Sequence, residues 1–320
     1  MRILITGGAG FIGGHLADAL ISSGHDVAVL DDLSSGVREN IPNGIPFYQV
    51  DIRDTDGVDN AIREYRPDII SHHAAQMSVS RSVREPRFDA DVNILGLINI
   101  CQSGVRAGVS KIIFASSGGV LYGETTVPAP EESPADPVSP YGISKWAGEK
   151  YLQFFSREFG ISAIALRYAN VYGERQNPHG EAGVVAIFCT RLLNGEQATI
   201  NGDGKYIRDY VHVSDVVAAN LQVMNYSATG FDCFNIGTGI GLDVNAVGAE
   251  LLENCTREIK KRGLPVTIKP LTHGPERPGD LRSNLLSNAK AKRVLGWSPE
   301  VSFDSGAQKT CQWFADRILE

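Results

Sequence analysis

The chain has 320 residues, of which 42% are hydrophobic and 21% are charged, and its formal net charge at pH 7 is −7. This balance is typical of a globular protein with a sizeable core and two lobes, and it excludes a disordered chain. The acidic charge argues against nucleic-acid binding, which needs a basic surface. No apolar stretch is long enough to cross a membrane and no secretory signal precedes the first strand, so we expect a cytoplasmic protein without a membrane partner.

Short β-rich runs alternate with helical patterns through the first half of the chain. The predicted strands cover residues 2–6, 26–31, 46–52, 68–74, 111–117 and 162–169. Several are nearly continuous apolar runs, as expected when helices cover both faces of a parallel sheet. The alternation therefore predicts an α/β fold with a doubly wound parallel sheet, the Rossmann arrangement.

A glycine-rich turn follows the first strand and opens a helix predicted over residues 15–23. The turn reads GGAGFIG from Gly7 to Gly13. Glycines here allow the backbone to approach a pyrophosphate, whose negative charge the helix N-terminus attracts. The second strand ends at Asp31, beside Asp32, and a carboxylate there accepts ribose hydroxyls and repels a 2′-phosphate. The pattern predicts NAD rather than NADP, with ordinary turn residues as the alternative for the two aspartates.

Tyr141 and Lys145 lie four residues apart at the start of a helix predicted over residues 141–159. Residues with this spacing project from one helix face. A phenol is a poor base at neutral pH, and a neighbouring ammonium favours the phenolate. A hydroxyl at the end of the preceding strand, from Ser116 or Ser117, would steady the substrate oxygen that exchanges the proton.

From about residue 170 the regular alternation fades, and segments rich in glycine, proline and polar residues predict a smaller, loop-rich α/β lobe for the substrate. We place the NAD-binding domain at residues 1–170, with return elements around 211–237, and the substrate lobe mainly at residues 171–320. A helix predicted over residues 211–225 returns to the sheet. The short basic run at residues 257–262 ends a helix and is interpreted as a solvated face.

Two helical stretches, residues 91–105 and 141–159, carry apolar side chains on more than one side. This pattern favours a homodimer formed through these helices, and burial against the chain's own sheet is the alternative. The five cysteines are scattered, without a CxxC motif or a Cys/His spacing typical of zinc. We therefore expect no metal site and read the cysteines as reduced, buried thiols.

Several motifs together resemble the extended short-chain dehydrogenase/reductase superfamily: TGGAGFIG, HHAAQ, FASSGGVLYG, PYGISK and RYANVYG. The closest likeness is to the UDP-glucose (UDP-galactose) 4-epimerases, and it extends over essentially the whole chain. The resemblance implies that Ser117, Tyr141 and Lys145 are catalytic. It further implies NAD contacts from Gly7, Gly10, Phe11, Ile12, Gly13, Asp31, Asp32, Asp51, Ile52, Ala74, Ala75, Asn93, Tyr141, Lys145 and Tyr168.

The same resemblance implies that a UDP-sugar is the substrate. Its contacts would come from Ser117, Tyr141, Asn170, Arg208, Arg277, Asp280 and Asn284. The implied reaction oxidises the sugar at C4 with NAD, turns the 4-ketosugar over and returns the hydride to the opposite face.

Two positions bear on the choice of reaction and substrate. Sugar 4,6-dehydratases and UDP-glucuronate decarboxylases carry an acidic residue after the strand serine, whereas Gly118 and Gly119 follow it here, so elimination is not expected. Asn284 stands where a tyrosine in some relatives blocks N-acetylated sugars, so UDP-N-acetylglucosamine is an expected second substrate. The alternatives are a UDP-glucuronate 4-epimerase, another NAD-dependent nucleotide-sugar oxidoreductase and a non-catalytic NAD-sensing protein.

Overall fold

The computed structural model of the chain describes residues 1–178, 183–227, 230–276 and 280–319. In chain order its strands are β1 (Arg2–Thr6), β2 (Asp26–Asp31), β3 (Phe47–Gln49), β4 (Ile69–His72), β5 (Lys111–Ser117), β6 (Ser162–Tyr168), β7 (Asn170–Tyr172), β8 (Thr199–Asn201), β9 (Ile207–His212), β10 (Phe231–Ile236), β11 (Gly241–Asp243), β12 (Thr272–Gly274) and β13 (Ser283–Asn284).

The helices alternate with these strands in the first half of the chain and continue through the second. They are α1 (Phe11–Ser22), α2 (Thr55–Tyr65), α3 (Val79–Arg84), α4 (Pro86–Ala90), α5 (Gly96–Ala107), α6 (Gly118–Leu121), α7 (Pro140–Phe159), α8 (Val184–Leu193), α9 (Val213–Met224), α10 (Val244–Arg262), α11 (Ala289–Leu295) and α12 (Phe303–Ile318). A 3-10 turn covers Arg38–Asn40, and a π-helical turn, Asp91–Leu95, joins α4 to α5.

Seven strands form one parallel sheet in the order β10-β6-β5-β4-β1-β2-β3. The chain runs outward from β1 through β2 and β3 on one side, and through β4, β5 and β6 on the other. This confirms the predicted doubly wound sheet. In such a sheet the carboxyl ends of the strands meet at one edge, and ligands bind there where the strand order reverses.

The observed strand ends differ from the predicted ones where the chain leaves the sheet to form that edge. β1, β2 and β5 have the predicted bounds, whereas β4 ends at His72, before Ala74. Helix α1 begins earlier than predicted, at Phe11, because the last glycine of the turn lies inside its first turn. A side chain at Gly13 would place its Cβ 2.2 Å from the carbonyl oxygen of Gly7, so only glycine fits.

After entering the second lobe, the chain returns to the seven-stranded sheet through α9 and β10. The predicted helix at 211–225 is present as α9, and β10 then pairs in parallel with β6. The ammonium of Lys111, at the start of β5, donates to carbonyl oxygens at the end of α9, on Val223, Met224 and Tyr226, at 2.8–3.0 Å. A cation at a helix C-terminus stabilises it and here fixes the returning segment to the sheet.

The second lobe combines small sheets with three packed helices. Strand β9 pairs with β7, β11 and β13, and β12 pairs with β8. Helices α8, α10 and α12 enclose a separate apolar core, so this lobe is more helical than its sequence predicts. The basic run is the last turn of α10, where Arg262 pairs with Glu258 and Asp316. Among the described helices, none is both long and apolar enough for a membrane span.

Candidate active site

The glycine turn is held between two strand ends. Gly7 has a φ of +71°, which favours glycine, and a Cβ on it would lie 2.5 Å from the backbone nitrogen of Ala74. Its own N–H donates to the carbonyl of Leu30 at 2.8 Å. The turn, the end of β2 and the segment after β4 therefore lie side by side at the carboxyl edge of the sheet.

The start of α1 is suited to a negatively charged group. Gly10 is its N-cap, the described chain supplies no side-chain cap there, and the first turn carries no acidic residue. The first N–H groups of a helix, here from Phe11, Ile12 and Gly13, lack partners within it. These groups and the positive end of the helix dipole fit the pyrophosphate of a dinucleotide.

Of the two aspartates after β2, Asp31 is the one that faces the glycine turn. Its carboxylate accepts N–H bonds from Ala9 at 3.0 Å and Leu33 at 2.8 Å. Burial raises its pKa, although these bonds oppose that shift. Asp32 instead accepts from the backbone and hydroxyl of Ser34 and shapes the following loop.

Other predicted cofactor residues are already engaged by the protein. Asp51 is paired with Arg53 at 2.5 Å, chiefly through hydrogen bonds that lower the pKa of Asp51. Asn93 is buried and bonds both backbone groups of Gln76, at 2.9 Å each. It therefore orients the segment that contains Ala74 and Ala75. The predicted contacts from Asp51 and Asn93 to NAD stay predictions.

Two further predicted cofactor residues, Tyr168 and Ile52, are buried and held in place by contacts within the protein. The hydroxyl of Tyr168 accepts a bond from Asn220 at 2.9 Å, and its ring stacks on His73 with centroids 6.4 Å apart. Ile52 is buried in the core beside α5, against Gly96. Both side chains are fixed before any cofactor contact is made.

The structure distinguishes the two candidate serines at the end of β5. The Ser116 hydroxyl is buried and donates to Glu149 at 2.6 Å. The Ser117 hydroxyl, at the last position of β5, is close enough to Tyr141 to lower the pKa of that phenol by hydrogen bonding. Ser117 is thus the serine that faces the tyrosine, as the resemblance implies.

Helix α7 presents Tyr141 and Lys145 to this serine. Ser139 caps the helix by accepting the N–H of Gly142 at 3.2 Å, and Pro140 occupies the first turn, where its missing N–H is not needed. Lys145 is buried, and its ammonium donates to the carbonyl of Ala115 at 2.9 Å. The same ammonium lies 5.8 Å from the centre of the Tyr141 ring.

Burial dominates the electrostatics of Tyr141 and Lys145 in the protein alone, and the activation of Tyr141 by Lys145 stays a prediction. Loss of solvent around the phenol raises the pKa of Tyr141 to about 12, Asp89 adds to the rise, and Ser117 opposes it. Burial lowers the pKa of Lys145 to about 8, while Asp89 acts in the opposite direction. Burial therefore keeps Tyr141 protonated at neutral pH. The Lys145 ammonium is directed at the carbonyl of Ala115 and the ring of Phe114.

Asp89 is a site residue that the sequence analysis missed. It is buried on α4, and its carboxylate accepts bonds from the amides of Gln76 at 2.9 Å and Asn93 at 3.0 Å. Its four-residue spacing from Asn93 is the one signal in the sequence. His72 and His73 were likewise not predicted as site residues. The pKa of His72 is lowered to about 3, chiefly by burial and next by the charge of Lys145. Asp89 is thus the anionic partner of the Lys145 charge.

We predict that Asp89→Asn shifts the pH dependence of turnover. Removing this negative charge lowers the pKa of Lys145, so the ammonium is lost at lower pH. The high-pH limb of kcat/KM should move to lower pH by roughly one unit. The amide oxygen of the new residue can still accept the bonds from Gln76 and Asn93. Rates measured from pH 6 to pH 10 check the prediction.

Asp91→Asn is the matched control for this variant. Asp91 lies two residues further on and acts on Arg53 rather than on Lys145. Its pH profile should follow that of the wild type. Identical profiles for Asp89→Asn and Asp91→Asn would show that Asp89 does not set the charge of Lys145.

The predicted substrate residues of the second lobe converge on its small sheet. Asn170 is on β7, Arg208 on β9 and Asn284 on β13, with Asn284 in register beside Arg208. The Arg208 guanidinium is mostly buried and pairs with Asp280 at 2.5 Å. Arg277 lies outside the described residues.

The space beside Ser117 is bounded by glycine. A Cβ built on Gly119 would lie 3.9 Å from the Ser117 hydroxyl and 4.0 Å from the Asn170 amide nitrogen. Gly118 packs against Leu286, where a side chain would collide. The two positions that could carry an extra acid therefore bring no carboxylate to the serine.

A buried ion pair supports the strand end that carries Ser117. The Arg167 guanidinium binds Glu149 through two hydrogen bonds, at 2.9 and 2.7 Å. It also donates to the hydroxyl of Tyr122 at 2.6 Å, which donates to Asn235 at 2.8 Å. This network joins β5, β6, α7 and β10 directly behind the site.

A glycine turn at the switch point of a doubly wound sheet, an acid after β2, and serine, tyrosine and lysine at the same edge define an NAD-dependent enzyme of the extended short-chain dehydrogenase class. The sequence pattern of the NAD dependent epimerase/dehydratase family matches residues 3–237. The chain belongs to this family.

Individual relatives resemble the chain over its whole length. A UDP-glucose 4-epimerase from Mycolicibacterium smegmatis is 42% identical over 99% of both chains. The crystal structure of a Thermotoga maritima UDP-glucose 4-epimerase with UDP-glucose is 47% identical, with a TM-score of 0.92 over 100% of both chains. A Thermus thermophilus UDP-glucose 4-epimerase in complex with NAD is 44% identical, with a TM-score of 0.90 over 98% of this chain and 99% of that one.

Proposed function

We propose that the protein is a UDP-glucose 4-epimerase that interconverts UDP-glucose and UDP-galactose. The observation that carries the proposal is Ser117 facing Tyr141 beside the glycine turn, with glycines where an eliminating enzyme needs an acid. The similarity to UDP-glucose 4-epimerases along the full chain supports the same reaction.

NAD, when bound, supplies the group that takes a hydride from the sugar and gives it back. The residues that would hold it are those of the glycine turn, the start of α1 and Asp31. Tyr141 exchanges a proton with the sugar 4-hydroxyl, and Ser117 orients that oxygen. Arg208 holds the diphosphate, together with Arg277. Gly119 leaves room beside Ser117 for the sugar to turn, whereas Gly118 lies against Leu286.

An NMR time course tests this function. The purified enzyme is given UDP-glucose or UDP-galactose separately, without an added acceptor. We expect both reactions to reach the same mixture of the two sugars with no net NADH. Net NADH would indicate an oxidoreductase, and conversion of UDP-glucuronate alone would indicate the glucuronate epimerase. No turnover of any nucleotide sugar would leave a non-catalytic NAD-binding protein.

Substrate breadth is proposed to depend on Asn284. This side chain is fully buried, donates to the carbonyl of Gly123 at 3.1 Å, and its oxygen finds no hydrogen-bond partner among the described residues. Asparagine is smaller than the tyrosine that blocks N-acetylated sugars in some relatives, so we propose that this position admits an N-acetyl group. We predict that the wild type converts UDP-N-acetylglucosamine and that Asn284→Tyr loses this activity by about tenfold or more while keeping UDP-glucose.

Asn284→Ala is the control, and both variants are compared with the wild type by kcat/KM for the two sugars. The alanine variant should retain both activities. If neither the wild type nor Asn284→Ala converts UDP-N-acetylglucosamine, the proposed role of Asn284 is refuted.

We also propose a homodimer formed through α7 and the segment around α5. Large apolar side chains on these elements are exposed, among them Leu95, Ile143, Tyr151, Phe154 and Phe159. Exposed apolar patches of this kind mark protein interfaces. The ring of Phe154 contacts the rings of Phe155 and Phe159, and the Phe154 residue is 43% exposed to solvent.

We predict that Phe154→Glu converts the dimer to a monomer, because a charge would be buried at the interface. Light scattering coupled to size-exclusion chromatography measures the mass. Val127→Glu is the control, since Val127 is 70% exposed but lies on a separate loop. A wild-type protein that is already monomeric at micromolar concentration would rule out the dimer.

A further inference from the structure

Three cysteines that are far apart in the sequence meet in the core of the second lobe. Cys189 is on α8, Cys255 on α10 and Cys311 on α12, and all three are fully buried. The Sγ atom of Cys311 lies 3.3 Å from that of Cys189 and 3.6 Å from that of Cys255. All three sulfur atoms lie within 4.8 Å of one another.

These separations are close to those of thiolates around one metal ion. Metal–sulfur bonds of about 2.3 Å place the sulfurs of a trigonal site roughly 4 Å apart. The two shorter sulfur–sulfur distances, 3.3 and 3.6 Å, lie slightly below this value, so small side-chain rotations would suffice. The three helices that carry the cysteines pack directly against each other, which fixes the positions of the ligands.

The surroundings restrict the charge of any bound ion. The sulfurs lie among apolar side chains, including Phe188, Leu192 and Leu251. A charged complex is costly in such a core, whereas a monovalent ion with one thiolate is neutral.

We propose that Cys189, Cys255 and Cys311 form a structural site for one soft monovalent cation of the Cu(I) class. On binding, one of the three thiols releases its proton to solvent and binds the ion as a thiolate, the other two coordinate as thiols, and no atom changes oxidation state. Soft thiolate ligands favour Cu(I), whereas structural zinc takes four ligands and this cluster of described residues offers three. The site is independent of the proposed epimerase activity.

Anaerobic loading of the reduced full-length protein with Cu(I) tests the site. After gel filtration with a weak Cu(I) chelator, we expect about one copper per chain and a thiolate-to-copper absorption band in the ultraviolet. The loaded protein should also have a higher Tm, because the ion binds the folded state. Absence of retained copper from the wild type would overturn the proposal.

Alanine variants locate the bound copper. Cys255→Ala and Cys311→Ala should each retain at least about tenfold less copper than the wild type. Cys101→Ala and Cys233→Ala are matched controls, since these cysteines lie outside the cluster, and they should retain it fully. Circular dichroism verifies that each variant is folded.

X-ray absorption of the loaded wild type gives a second measurement that needs no variant. Three sulfur neighbours per copper are expected. Nitrogen or oxygen neighbours, or equal copper retention by all variants, would place the metal elsewhere and refute the site.

Discussion

Replacement of Tyr141 by phenylalanine is expected to lower kcat for the interconversion of UDP-glucose and UDP-galactose by about 10²–10⁴-fold. The variant keeps the aromatic ring but loses the hydroxyl that we propose exchanges the proton with the sugar. Because the pKa of Tyr141 is raised to about 12 by loss of solvent, little phenolate is present in the protein alone. We therefore expect the rate to depend on the orientation of this hydroxyl by Ser117. Initial rates at saturating substrate measure the effect.

The control for this variant is Tyr151→Phe, on the same helix. Tyr151 lies two to three turns further along α7 and is 40% exposed. Its loss of a hydroxyl should leave kcat unchanged. NAD content and Tm should match the wild type for both variants. If Tyr141→Phe stays within about threefold of the wild-type kcat, Tyr141 does not carry out the proton transfer. This threshold lies well below the smallest expected effect, which is about 10²-fold.

Replacement of Glu149 by glutamine is expected to reduce the free energy of unfolding by about 3–5 kcal/mol. The change keeps the shape of the side chain but leaves the Arg167 guanidinium without a counter-charge. The Arg167 side chain is 5% exposed and that of Glu149 is completely buried, so water cannot replace the lost partner. Denaturant unfolding of both proteins measures the difference.

Glu253→Gln provides the comparison at the surface. Glu253 pairs with Arg257 one turn away on α10, and both side chains are largely exposed. Its loss should cost less than about 1 kcal/mol. A double replacement of Glu149 and Arg167 by methionine should recover most of the stability, because it removes both buried charges together. Equal effects of Glu149→Gln and Glu253→Gln would contradict this account.

The alternation of strands and helices in the first lobe could be predicted from local patterns. Apolar runs such as those of β1 and β5 are long enough to be recognised, and the glycine turn indicates that a helix follows β1, although α1 begins four residues earlier than predicted. In the second lobe the strands are two to six residues long. Most of them are too short for an alternation of apolar and polar residues to be recognised. Helix α10 did carry a signal, since Val247, Leu251, Cys255 and Ile259 recur every four residues and are buried together.

The site could be predicted only in part, for a different physical reason. Tyr141 and Lys145 stand in a recognisable spacing on one helix. The choice between Ser116 and Ser117 instead depended on which hydroxyl Glu149 accepts, which is a contact across the fold. The direction of the Lys145 ammonium likewise depends on the backbone of β5. Spacing along the chain contains neither of these contacts.

The position of β10 has a consequence for how the protein is made. Because synthesis runs from the N-terminus, β6 leaves the ribosome well before residues 231–236 exist. Until then, the free edge of β6 exposes unpaired N–H and C=O groups, a surface on which other strands can aggregate. The nascent chain thus already carries its cofactor turn and its tyrosine and lysine while its largest sheet is still open. Closure of that sheet waits for translation of a strand encoded far into the second half.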